Sequence, residues 1–165
     1  MHIVSIVGKS DNGKTTLIEK LVKELKKRGH SVATIKHNIK GFEIDKKGKD
    51  SYRHKEAGAD TVVISSPQKL ALIKDIEKEL TIDQIAKAYL SDVDFILTEG
   101  YKEGNKPKIE VFRQEAGHKD LLCAHDTNLI ALVSNCEFKG IPNVPRFAIN
   151  DVKGIIDFLE EKYVS

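Results

Sequence analysis

Cysteine is scarce in this chain: 165 residues carry two, Cys123 and Cys136. One pair cannot form a disulfide framework, and two isolated thiols without an export signal read as reduced core residues. Long apolar runs are missing too, since none approaches the roughly 18–20 residues that span a bilayer. Residues Met1 to Gly8 enter a strand-like segment directly, with no basic n-region, apolar h-region and cleavage site, so a cytoplasmic protein is expected. Charge of one sign is equally thin. With 27 Lys+Arg against 25 Asp+Glu the net charge is +2, which gives no case for nucleic acid or a membrane surface as partner. No internal repeat, low-complexity tract or linker interrupts residues 1–165, and one domain is the expectation. Its length lets it bury about 68–70% of its unfolded surface without a metal or disulfide staple.

What is present has the composition of a folded soluble protein, 40% hydrophobic and 32% charged. Ile3, Val4, Ile6 and Val7 form a short continuous apolar run, which fits a strand covered on both faces. From about Lys14 to Arg28, the residues Leu17, Ile18, Leu21, Val22 and Leu25 draw one stripe at the 3.6-residue period, and Gly29 ends the helix. Ser31 to Ile35 reads as a second strand, completing a βαβ unit. Lys36 to Lys49 is a long polar loop, followed by a short helix capped by Asp50 or Ser51. Thr61–Ile64 and Leu70–Ile73 read as further buried strands around a Ser65-Ser66-Pro67 turn. Thr81 and Gln84 have capping-box spacing ahead of another helix. Phe95–Thr98, Ile109–Phe112 and Leu129–Val133 are strands, and a last helix, capped by Asn150 or Asp151, carries Val152, Ile155, Ile156, Leu159 and Tyr163 on one face. The sum is α/β: a doubly wound, mostly parallel sheet.

Gly8-Lys9-Ser10-Asp11-Asn12-Gly13-Lys14-Thr15 satisfies G-x-x-x-x-G-K-[ST], between a buried strand and an amphipathic helix, the context that gives the pattern meaning and makes the expected sheet one of the P-loop NTPase type. The glycines let main-chain N–H groups wrap a phosphate, at the positive end of the helix dipole. Lys14 is placed to bridge the β and γ phosphates and the Thr15 hydroxyl to ligate Mg²⁺. Magnesium also needs a carboxylate at the carboxyl end of a neighbouring strand. Glu99 closes Phe95–Thr98 and supplies it, whereas Asp94 opens that strand about 16 Å away.

Guanine is read in many GTPases by Asn-Lys-x-Asp, and Asn105-Lys106-Pro107-Lys108 fails that pattern because a lysine replaces the carboxylate. A base-contacting loop would instead fall at Ser134-Asn135. His37, ending the second strand, faces the phosphates, and Asp45, Lys49 and Asp50 lie on the loop that could close over them. A carboxylate there, Asp50, is the candidate for orienting water or the cation. Lys9 reads as an exposed loop lysine, and Cys123-x-His125 lacks the further ligands of a zinc site. Small-molecule kinases close an arginine-bearing lid over the transferred group. Here Arg28, Arg53, Arg113 and Arg146 lie far apart, which argues against rapid phosphoryl transfer; a kinase using ATP or GTP is the alternative reading.

The runs Thr34–His37, Phe42–Asp45, Gly48–His54 and Ala57–Ala59, with Asp94–Lys102, Lys108–Arg113 and Asn128–Ala131, resemble the MobB family of molybdopterin-guanine dinucleotide biosynthesis proteins. The resemblance covers most of the chain in the family's order. It implies a dimeric GTP-binding accessory protein with Mg²⁺ and weak GTPase activity. The implied partners are a MobA-type guanylyltransferase and the molybdopterin itself. The candidate nucleotide-binding set is Gly8, Ser10, Asp11, Asn12, Gly13, Lys14, Thr15, Thr16, His37 and Arg113. Lys14, Glu99 and Asp50 are the candidates for catalytic roles, and Thr15 and Glu99 for holding the metal. The chain departs at Asn38-Ile39-Lys40, where family members often carry histidines.

Overall fold

A computed structural model describes residues 1–38, 41–137 and 143–164; Ile39 and Lys40 of the departure noted above lie outside them. The elements are β1 (His2–Val7), α1 (Lys14–Lys27), β2 (Val32–Lys36), α2 (Asp50–Glu56), β3 (Thr61–Ser66), β4 (Lys69–Lys74) and α3 (Ile82–Tyr89). After them come β5 (Phe95–Glu99), β6 (Lys108–Phe112), a 3₁₀ turn (Gln114–Ala116), β7 (Leu129–Ser134), β8 (Arg146–Phe147) and α4 (Val152–Tyr163). Where the sequence reads as one domain, the contacts gather into two compact units, Met1–His37 with Ala86–Ser165, and Asn38–Ile85.

The first unit is built on a six-stranded sheet in the order β2-β5-β1-β6-β7-β8, every pair parallel. The central strands are buried on both faces, which explains their unbroken apolar runs. On one face Leu17, Ile18, Leu21 and Leu25 of α1 join Ile155, Ile156 and Leu159 of α4 over Val4, Ile6, Phe95, Leu97, Ile109 and Val111. Val7 packs in a second cluster with Leu122, Cys123 and Leu129. That covering loop is held by Glu110, a buried carboxylate on β6 that accepts from the Leu122 and Cys123 amides at 2.5 and 2.8 Å. Burial raises the Glu110 pKa against the pull of those two amides and pushes the Cys123 thiol up to about 11. Both cysteines are free thiols. Gly29 adopts a left-handed φ of 93° after α1, as a helix stop should. At α4 the cap is Asp151, which accepts from the Gly154 amide at 3.0 Å, while Asn150 accepts from Lys20.

The second unit corrects the strand reading. β3 and β4 do not enter the parallel sheet; they form an antiparallel hairpin of their own, with Val63 opposite Leu72 and Ser66 opposite Lys69. The reason is the connection. Pro67 and Gln68 suffice for a hairpin turn, whereas a parallel crossover needs a dozen residues or more. Of the run Thr61–Ile64 only Val62 is buried. The cap of α2 also differs: Lys49 precedes the helix with no side-chain cap, and the Ser51 hydroxyl donates to Asp45 instead. The capping box at α3 forms as its spacing predicts, with Thr81 and Gln84 exchanging bonds of 2.9 and 3.2 Å. Among the described residues no helix is long and apolar enough to cross a membrane.

Candidate functional site

The carboxyl ends of β1, β5 and β6 lie side by side because β1 pairs with the other two in parallel register. The loop from β1 into α1 therefore opens between them. Gly8 has φ 144°, and a Cβ there would stand 2.4 Å from the Val111 carbonyl oxygen, so only glycine lets the loop leave β1 so close to β6. Gly13, at φ 87°, precedes α1; no side chain caps the helix and its first turn has no acid. Its leading amides thus keep their hydrogen-bonding capacity for a ligand. Asp11 completes the curl with φ 62°.

Around this loop the structure assembles a cavity of about 470 Å³ lined by Ser10, Asp11, Gly13, Lys14, Thr15, Thr16 and Glu99. The Lys14 ammonium donates to the Lys9 carbonyl at 2.9 Å, curling over its own loop. The Thr15 hydroxyl is 3.0 Å from both Glu99 carboxylate oxygens, although 84 residues separate them. Sequence reasoning placed those two groups together and put Asp94 elsewhere. Asp94 indeed sits at the opposite end of β5, accepting from the Ser31 amide and hydroxyl at 2.8 and 2.7 Å. Those bonds, the amide's first, hold its carboxyl below the usual range. Thr15 and Glu99 are hard oxygen donors of the kind Mg²⁺ accepts alongside phosphate oxygens and water.

Other expected contacts take different parts. Gly8 shapes the loop without lining the cavity. The Asn12 side chain is buried and faces the protein: its Oδ1 accepts from the Arg113 amide at 2.8 Å, stapling the loop to the end of β6. Arg113 lies against the outside of the loop, since a Cβ on Gly13 would come within 2.8 Å of its Nε. That Nε is buried and has no hydrogen-bond partner. His37 stacks on Tyr101 with ring centroids 4.4 Å apart and planes at 18°. Asp50 belongs to the second unit, where it is exposed and stands 3.9 Å from Arg53. Lysines 106 and 108 sit before and at the start of β6, the end remote from the loop. Lys108 is buried, paired with Asp126 at 2.6 Å, and has no part in reading a base.

Three contacts escaped the sequence reading. Lys36, ending β2, approaches Glu99 at 3.4 Å. The His118 ring nitrogen Nε2 meets the Ser10 carbonyl at 3.1 Å. Asn135 donates its side-chain amide to both oxygens of Glu115, at 2.7 and 2.8 Å. Two had a signal: Lys36 stands beside His37 at a strand end, and Asn135 lies in the loop expected to contact the base.

The family model for molybdopterin guanine dinucleotide synthesis protein B, MobB, matches residues 3–135. The chain belongs to the MobB family. The matched span contains the phosphate loop, the hairpin unit, Glu99 and the Glu115–Asn135 pair, and ends before β8 and α4. Among MobB relatives, the molybdopterin-guanine dinucleotide biosynthesis adapter protein of Escherichia coli K12 is 36% identical, with 96% of this chain and 91% of that protein covered. The adapter protein of Haemophilus influenzae is 35% identical over 96% of this chain and 87% of its own length. A crystal structure of molybdopterin-guanine biosynthesis protein B superposes with a TM-score of 0.77 at 32% identity, covering 99% of both chains. Bacillus subtilis MobB gives 0.75 at 26% identity, over 99% of this chain and 98% of the other. The fold is thus the mostly parallel α/β architecture of the MobB structures.

Proposed function

We propose that this chain binds GTP with Mg²⁺ at the 8–16 loop, hydrolyses it weakly at most, and serves as an adapter in making molybdopterin guanine dinucleotide. Its partner in that role is a MobA-type guanylyltransferase, with the pterin as a further contact. The observation that carries the nucleotide part is the convergence of Lys14, Thr15 and Glu99 on one cavity at an uncapped helix start. When a triphosphate enters, the α1 amides and the Lys14 ammonium bind its oxygens, and Lys14 exchanges the Lys9 carbonyl for phosphate. Thr15 and Glu99 would hold Mg²⁺, which screens charge on the phosphates. Weak turnover is supported by the cavity lining, which carries one ammonium and no guanidinium to stabilise charge on a transferring phosphoryl group. The adapter role is supported by the names of the Escherichia coli and Haemophilus influenzae relatives, both molybdopterin-guanine dinucleotide biosynthesis adapter proteins. Self-association is supported by the hairpin, whose Val63, Leu70 and Leu72 share one exposed face.

Calorimetric titration of GTP and ATP with and without Mg²⁺ tests the reading. Lys14→Ala should weaken triphosphate binding by roughly 100-fold, because it leaves phosphate charge uncompensated. Glu99→Ala should chiefly remove the dependence on Mg²⁺. Unchanged affinity in Lys14→Ala would refute the site.

A further inference from the structure

Resting on the reading that the loop holds a guanine nucleotide, we infer that Glu115 and Asn135 are the groups that read the base. Segment 113–118 is clipped to the phosphate loop at both ends: the Arg113 amide donates to Asn12 at 2.8 Å, and His118 Nε2 meets the Ser10 carbonyl at 3.1 Å. Glu115 stands between those clips, exposed to solvent. β6 and β7 end side by side, Phe112 opposite Ser134, so Asn135 emerges next to it. The Gln114 amide fixes Asn135 through a 3.1 Å bond to its Oδ1.

The chemistry of the pair matches guanine. A guanine edge offers two adjacent N–H donors, N1–H and the 2-amino group, beside the O6 acceptor. A carboxylate accepts both donors, and a carboxamide donates to O6. In the structure one Asn135 amide nitrogen lies 2.7 and 2.8 Å from the two Glu115 oxygens, occupying the position such donors would take. A guanine replaces that internal donor with two of its own and releases the Asn135 amide for O6. Adenine would turn the N1 lone pair toward the carboxylate, a repulsive contact. Glu115 is held ionised for this task, since its own backbone amide and then Asn135 keep its pKa below the usual value.

Four nucleotides with Mg²⁺ decide the matter by calorimetry: GTP, ATP, inosine triphosphate and xanthosine triphosphate. The unaltered chain should prefer GTP to ATP and bind inosine triphosphate, which lacks the 2-amino group, about 10-fold more weakly than GTP. Glu115→Gln should lower GTP affinity roughly 10- to 100-fold. The same variant should bind xanthosine triphosphate more tightly than GTP, because the new amide can donate to the 2-oxo group. Only a residue facing the base produces that reversal. Glu115→Gln binding GTP as the unaltered chain does, or GTP and inosine triphosphate binding equally to the unaltered chain, would overturn the assignment. Lys14-dependent binding without base preference would overturn it alone, leaving the phosphate site standing. Absence of any nucleotide binding would overturn both.

Discussion

β5 and β3 carry nearly the same message in sequence, Phe95-Ile96-Leu97 in one and Val62-Val63-Ile64 in the other. β5 sits between β2 and β1, and its three apolar residues are wholly buried. β3 has a single partner, and Val63 and Ile64 remain 53% and 45% exposed. A run of branched and aromatic residues states what a strand could bury; the neighbours supplied by topology decide what it does bury. Function follows the same division. The proposed nucleotide site is built on the loops of the six-stranded sheet, while Val63, Leu70 and Leu72 of the hairpin are exposed.

The largest test of this contrast is Leu97→Ala. Leu97 is in the core under α1 and α4, so the substitution should cost about 2–5 kcal/mol in urea unfolding. A loss below 1 kcal/mol would mean the sheet is less tightly packed than described. Acid should discriminate between the units next. Glu160 is held below its usual pKa first by the His30 ring and then by Arg28, and Asp126 first by Lys108. A carboxylate with a depressed folded pKa contributes stability above its unfolded pKa and loses it as pH falls through the folded value. Both groups belong to the sheet unit. Urea midpoints of that unit should therefore decline as pH drops below the ordinary carboxylate range, and Glu160→Gln should flatten the decline. The smallest effect is expected for Val63→Thr, within about 0.5 kcal/mol in dilute solution. A loss that varied with protein concentration would show that a second copy covers the hairpin face.

Much of the candidate site was legible because its signals are short. Gly8 to Thr15 is one uninterrupted stretch, and its glycines, lysine and threonine each answer a local need. Glu99 was legible one step further, from its position at a strand end and the need of Mg²⁺ for an acid there. The capping residues Thr81 and Gln84 and the stop at Gly29 were equally local. Three features were missed. β8, two residues long, has no apolar run to announce it, and forms only because β7 offers an edge. The hairpin was misassigned by its apolar content, although the short Pro67-Gln68 link excluded a parallel crossover. The direction of the Asn12 side chain, which turns to the Arg113 amide at the end of β6, has no signal in the sequence.

The amino-acid sequence by itself determined the strand–loop–helix that can cradle a phosphate, since backbone angles, helix dipole and hydrophobic period are fixed by residues a few positions apart. Only the tertiary structure decided that Glu115 meets Asn135, that Lys36 approaches Glu99, and that β3 pairs with β4 in a sheet of their own. Those outcomes depend on which strand ends become neighbours, and that is settled by the packing of the whole chain.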